Sequence, residues 1–152
     1  HVIRPVAADA VAAGLTPAIW GSGWRDLVPH DLLRASEVPN DELPLMYSSI
    51  GVLLADHWST MRSWGFVSNR LFDALACGTP VICDELAAVR ELFGDAVPCY
   101  REPADLGALV TECLADRVAS RSRADSGRRV VLAHHTTDQR AAELGALTNL
   151  PL

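Results

Sequence analysis

Short apolar runs alternate with amphipathic stretches along this 152-residue chain. That alternation predicts an α/β fold with a doubly wound, Rossmann-like parallel sheet flanked by helices. Two observations support it most directly. Ile50-Gly51-Val52-Leu53-Leu54-Ala55 is continuously apolar, as a strand buried on both faces of a parallel sheet must be. Leu106, Leu109, Val110, Cys113 and Leu114 recur at helical spacing and form one apolar stripe. With 49% hydrophobic residues, the chain is long enough for a single domain with a sizeable core, and no internal repeat divides it.

The elements follow in order. Residues 2–14 are Ala-rich and end at Gly14, which predicts a helix with a glycine stop. Thr16-Pro17-Ala18-Ile19-Trp20-Gly21 predicts a short strand, and Ala35 to Val38 a second, shorter one. Asn40 or Asp41 is the expected cap of a short helix through Leu45, Met46 and Tyr47. After the strand at 50–55, residues 56–67 are expected to be a polar and aromatic loop. A helix over 69–77 is stopped by Gly78 and Pro80, with Gly78 at positive φ where the chain turns into the buried strand Pro80 to Cys83. Leu86, Val89, Leu92 and Phe93 share one face of the following helix, and Ala96 to Tyr100 is the last strand. Beyond the helix carrying Leu106 to Leu114, two more are expected over 117–133 and 138–149.

In a doubly wound sheet the first strand is central, between the second and fourth in chain order. This chain opens His-Val-Ile-Arg-Pro and passes straight into a helix, without Met or a signal-peptide pattern. The expectation is an interior cut that lacks its first strand. Segments 16–21 and 50–55 would then face each other across a gap whose walls cannot stay empty in water. Either they pair directly, or a strand from another chain or an upstream segment lies between them. A cleft left open to solvent would defeat both alternatives.

Composition excludes several functions. The formal charge of −6, with scattered acidic residues, disfavours non-specific binding to nucleic acid or anionic membranes. No apolar run approaches a transmembrane length. All 13 basic residues are Arg, so no Lys-dependent Schiff base or phosphate loop exists here. Arg suits planar contact with phosphate, although GC-rich coding explains the same bias. Cys77, Cys83, Cys99 and Cys113 show no CxxC spacing and are expected as buried free thiols of a cytoplasmic protein. The five His residues form no zinc pattern, so no metal or cofactor is expected.

Ligands of open α/β sheets bind beyond the carboxyl ends of the strands. The loops at 21–25, 38–41, 56–68, 84–86 and 101–104 are therefore where a site is expected. The most informative is 56–68, which leads into the helix at Ser68-Asn69-Arg70. Ser68 or Asn69 can cap that helix, its first turn offers free N–H groups, and its dipole favours an anion. Arg70 can add a charge-assisted bond to a phosphate. Asp73 lies a turn further on the same side and can accept vicinal hydroxyls such as those of a ribose. The same residues also fit a plain structural role, with Asp73 paired to Arg70 and Ser68 as a cap.

The stretch Ser68-Asn69-Arg70-Leu71-Phe72-Asp73-Ala74-Leu75-Ala76-Cys77-Gly78-Thr79-Pro80-Val81-Ile82 resembles a signature of GT-B glycosyltransferases. The retaining group of that fold carries Glu-Ala-(Met/Leu)-Ala-Cys-Gly-Thr-Pro-Val-Ile. A subgroup related to spore-maturation proteins, with Arg-x-Phe-Glu-Ala-Leu-Ala-Cys-Gly, is more similar still. Trp20-Gly21-Ser22-Gly23-Trp24 resembles the Gly-x-Gly-Trp turn of that subgroup, and Leu45-Met46-Tyr47-Ser48-Ser49-Ile50 its Tyr-x-x-(Ser/Ala) helix. Arg128 to Arg140, with His135-Thr136, is similar to its His-Thr-x-x-x-Arg segment. The resemblance spans nearly the whole chain.

The resemblance implies the C-terminal, donor-binding half of a glycosyltransferase, acting on a nucleoside-diphosphate sugar and completed by a missing N-terminal acceptor domain. Asp73 then stands where the ribose-binding Glu stands, and Ser68, Asn69 and Arg70 cradle the diphosphate. Val38 falls where backbone groups hold the nucleobase. His57, past a strand end, lies near the donor sugar unless it is an ordinary surface residue. Arg4 is either a helix-packing residue or a remnant of a basic phosphate loop. Two positions depart from the family pattern. Asp73 is shorter than Glu, and Gly65 replaces a sugar-contacting Glu eight positions before it, so sugar recognition differs or is absent. No catalytic residue is assigned. A non-catalytic nucleotide-sugar-binding or assembly module, and a nucleotide-sugar epimerase relative, remain as alternatives.

Overall fold

The computed structural model describes residues 4–148. Helices and parallel strands alternate. Helix α1 (Pro5–Ala12) leads to β1 (Ile19–Trp20), and a short 3-10 turn (His30–Leu32) to β2 (Leu33–Ala35). Then come α2 (Leu43–Ser49), β3 (Leu53–Ala55), α3 (Ser59–Ser63), α4 (Asn69–Ala76) and β4 (Val81–Asp84). The chain continues through α5 (Ala87–Phe93), β5 (Cys99–Tyr100), α6 (Pro103–Ala115), α7 (Arg117–His134) and α8 (Thr137–Thr148). All strand pairs are parallel: β1 with β2, and β3-β4-β5 in that order. The fold is the Rossmann-like α/β arrangement that the alternation predicts.

Side chains alternate across the sheet, so each strand feeds two layers. Ala55, Val81 and Cys83 face a core shared with Leu71, Leu75, Val89, Phe93 and Val131 of α4, α5 and α7. Ile82 and Tyr100 face the opposite side, against Val6 and Ala10 of α1 and Leu106, Val110 and Cys113 of α6. A smaller cluster of Ala7, Ile19, Val28 and Leu32 underlies β1 and β2. β4 is buried at every position, as a central strand with covered faces should be.

The end of α4 fixes how the chain re-enters the sheet. Gly78 donates to the Leu75 carbonyl (2.9 Å) and Thr79 to that of Ala74 (3.0 Å), the paired bonds of a Schellman cap. Gly78 has φ of 73°, the predicted left-handed conformation. A Cβ there would meet nothing nearer than 4.0 Å, at Arg128 and Asp125. The cost of Gly78→Ala is therefore conformational, about 1 kcal/mol. Urea unfolding should show a loss of that size, and an unchanged midpoint would refute it.

Several expectations need correction. The strand placed at Ala35 to Val38 lies earlier, at Leu33–Ala35, and Val38 sits in the loop beyond it. α2 starts after Glu42, with no side-chain cap from Asn40 or Asp41. Segment 56–67 is not all loop: Ser59–Ser63 forms α3, which lacks a hydrophobic repeat because it buries no residue. Cys77 and Cys99 are only partly buried, whereas Cys83 and Cys113 are buried; all four are free thiols. Residues 2 and 3 of the first expected helix, and 149 of the last, lie outside the described residues.

The strand at 50–55 is shorter than its apolar run, and Leu53 and Leu54 remain partly accessible. The reason is the facing edge. β1 and β3 do not pair directly: they belong to separate sheets, and a cavity of about 1060 Å³ has Ile19 and Trp20 on one wall and Val52 and Leu54 on another. Among the described residues no strand lies between them.

Candidate functional site

The same cavity extends past the carboxyl edge of β3 to the start of α4, where Ser68, Asn69, Arg70 and Asp73 line it. Ser68 is the N-cap, with extended backbone (φ −64°, ψ 132°), but its hydroxyl makes no capping bond. The expected Ser68 cap is thus one of position only. The N–H groups of Asn69 and Arg70 precede the first helical bond, in which Leu71 donates to the Ser68 carbonyl (3.0 Å). Among the described residues, the Asn69 and Arg70 side chains also make no hydrogen bond to protein. Four adjacent polar groups therefore converge on the cavity uncommitted.

Asp73 is not locked to Arg70 either, since their carboxylate and guanidinium form no ion pair among the described residues. Burial raises the Asp73 pKa above its ordinary value, while the nearby Arg70 charge opposes that rise. The phenol of Tyr47, a buried α2 residue on the same cavity wall, is raised by burial and by Asp73, and held down by Arg70. Tyr47, Arg70 and Asp73 thus sense one another's charge. A bound anion would meet Arg70 and the α4 N-terminus, with the Asp73 carboxylate a turn away for hydroxyl contacts and Tyr47 of α2 lining the same cavity.

Two buried carboxylates stand at the carboxyl ends of neighbouring strands; Asp56 lines the cavity and Asp84 does not. Asp56, just past β3, accepts from Arg4 Nε at 2.8 Å and from the Val6 N–H at 3.2 Å, while its own carbonyl accepts from Arg4 Nη2 at 2.8 Å. The Arg4 guanidinium also lies 4.1 Å over the Trp58 ring. Asp84, the last residue of β4, accepts from His57 Nδ1 at 2.6 Å and from Arg62 of α3. Burial works against the Asp84 charge, yet the hydrogen bonds and charges of His57 and Arg62 outweigh it and leave its pKa lowered. A ring nitrogen facing an ionised carboxylate carries a proton, so His57 donates from Nδ1, which leaves Nε2 to find a partner of its own. That Nε2 is buried and has no hydrogen-bond partner among the described residues. No cluster of His, Cys, Asp or Glu among the described residues has the makings of a metal site.

A family model described as glycosyl transferase-like matches residues 2–146. The chain belongs to that family. No match was found among curated proteins or among solved structures.

Within this glycosyl transferase-like domain, the expected site residues divide. Ser68, Asn69, Arg70 and Asp73 come together on the cavity. Val38 and His57 do not line it. His57 is not a surface residue but a fully buried one, held by Asp84 across 27 positions of sequence. Arg4 packs α1 and also faces the cavity. Gly65, where the resemblance expects Glu, has φ of 64° and turns the chain out of α3, a conformation that favours glycine. Sequence reasoning missed Tyr47 and Asp56, which line the cavity, and Asp84, which holds His57 and Arg62. Only the position of Asp56 and Asp84 at strand ends pointed to them. No helix among the described residues is long and apolar enough to cross a membrane.

Proposed function

We propose that this domain is the donor-binding half of a GT-B glycosyltransferase, taking a sugar from a nucleoside-diphosphate sugar to an acceptor held by a separate N-terminal domain. The observation that carries the reading is the convergence of uncommitted Ser68, Asn69 and Arg70 groups on a cavity at the start of α4, with Asp73 a turn away. When the glycosidic bond to the diphosphate breaks, negative charge grows on the leaving phosphate oxygen. The α4 N–H groups and Arg70 stabilise that charge. Asp73 accepts hydroxyls of the nucleoside, and the spore-maturation-like motif around it supports that role.

The test is calorimetry with UDP, GDP and dTDP. One of them should bind, weakly, because the acceptor domain supplies the rest of the cleft. Arg70→Ala should remove roughly 1.5–3 kcal/mol of charged hydrogen bonding, about ten- to a hundred-and-fiftyfold in Kd. Absence of binding by all three at millimolar concentration would overturn the reading. The Gly65 turn favours a second reading, in which the domain holds a nucleotide sugar without turning it over. Donor hydrolysis or transfer by the complete polypeptide decides between the two.

A further inference from the structure

We infer that Cys83 and Cys99 form a peroxide-sensitive dithiol, in which Cys99 is oxidised first and Cys83 then closes a reversible disulfide between β4 and β5. Neither residue lines the cavity, so the inference does not rest on the donor reading. Its first support is proximity. The two residues are partners in the register of β4 and β5, and their sulfurs lie 3.8 Å apart. Neighbouring strands run about 4.8 Å apart, inside the roughly 4.4–6.8 Å Cα separation that a disulfide spans. Closing the sulfurs to a bond of about 2.05 Å therefore asks for side-chain rotation and not for a new strand path. Little resists that rotation. The other bonds of the two sulfurs go to backbone carbonyls, of Asp84 at 3.3 Å from Cys83 and of Val97 at 3.4 Å from Cys99. A thiol is a weak donor to such oxygens.

The second support is the division of exposure between the pair. β4 lies between β3 and β5, and Cys83 is fully buried on it. β5 ends that sheet, and Cys99 is only partly buried there. A small oxidant thus reaches Cys99, with Cys83 directly behind it. Charge agrees. The hydrogen bond from Cys83 lowers the Cys99 pKa, against burial and the Glu85 charge and together with Arg90. The same bond and burial raise the Cys83 pKa. Cys99 is therefore the thiolate and Cys83 keeps its proton, as a nucleophile and a resolving thiol require. Among the described residues no sulfur–sulfur contact joins Cys77 or Cys113 to another cysteine, and Cys113 packs on the opposite face of the sheet.

The oxidant is a hydroperoxide, and hydrogen peroxide is the simplest. The Cys99 thiolate attacks one peroxide oxygen, the O–O bond breaks, and hydroxide leaves and takes up a proton as water. Cys99 is then a sulfenic acid. The Cys83 sulfur attacks the Cys99 sulfur, the S–S bond forms and the S–O bond breaks. The Cys83 proton leaves with the hydroxyl as a second water. Two thiols have lost two electrons and two protons, and the peroxide is reduced to two waters. A disulfide across directly paired strands sits at the short end of the Cα range, so a thiol reductant reopens it readily. Asp84 follows Cys83 and holds His57 and Arg62, so the bond forms beside that network.

Peroxide treatment of the folded protein at neutral pH, then unfolding, alkylation and peptide mass mapping, tests this. Wild type should lose two alkylatable thiols and yield a Cys83–Cys99 cross-linked peptide about 2 Da lighter than the two thiol peptides together. Its rate of formation should not depend on protein concentration, and dithiothreitol should restore both thiols. Cys83→Ser should stop at a Cys99 sulfenic acid that dimedone traps. Cys99→Ser should slow oxidation of Cys83 roughly tenfold or more. The wild-type map decides the case even where a variant fails to fold. A Cys99 sulfinic acid beside an alkylated Cys83, a cross-link to Cys77 or Cys113, or a link that grows with protein concentration would overturn the inference. So would all 4 cysteines remaining alkylatable after excess peroxide.

Discussion

Asp56→Ala should lower unfolding stability by about 3–5 kcal/mol, because it strands a guanidinium in the protein. Asp56 is 1% exposed, and its side chain is the carboxylate partner of Arg4, itself mostly buried. It is also the acceptor for the Val6 N–H in the first turn of α1. The substitution leaves both donors without that partner, and α1 loses its tie to the end of β3. Replacing both members of the pair, as in Arg4→Met with Asp56→Leu, should cost much less, since no uncompensated charge is left behind. Urea unfolding of the three proteins at pH 7 gives the comparison. A loss below 1 kcal/mol for Asp56→Ala would mean that water already screens the pair.

Asp84→Ala should cost about 2–4 kcal/mol and leave a pH signature. The His57 ring is fully buried, and Asp84 is the acceptor for its Nδ1. Without Asp84, neither ring nitrogen has a partner, and Arg62 releases α3. The sign of the pH effect follows from the lowered Asp84 pKa. The folded state holds the proton less tightly than the unfolded one, so the stabilisation is complete above about pH 4 and is lost as pH falls through the folded value. Asp84→Asn removes the ionisation while keeping the shape. The stability difference between wild type and Asp84→Asn should therefore be large at pH 7 and shrink towards pH 3. An equal difference at both pH values would show that His57 and Arg62 do not hold the charged form.

The fold was legible because its cues are local. The turn at Gly78 follows from a helix that must reverse into a buried strand, and the alternation of runs follows from a sheet covered on both faces. Part of the site was legible for the same reason, since Ser68, Asn69, Arg70 and Asp73 belong to one helix start. α3 was missed because a five-residue helix that buries nothing has no apolar period to read. The burial of His57 was not legible because a loop position suggests exposure, while its partner lies on the next strand of the sheet. Val38 stands apart from the cavity, in the loop after a second strand that ends three residues earlier than expected.

By itself the sequence determined the class of fold, the grouping of Ser68, Asn69 and Arg70 at one helix start and the exclusion of Lys-based chemistry. Periodicity, glycine stops and residue type set these, and they act over a few residues at a time. Only the tertiary structure decided that Arg4 meets Asp56 across 52 positions and that His57 meets Asp84 across 27. It also decided that 16–21 and 50–55 face each other across a cavity instead of pairing. Such pairings depend on which strand ends the sheet brings side by side. The crossover helices set that order, and the spacing of residues along the chain carries no trace of it.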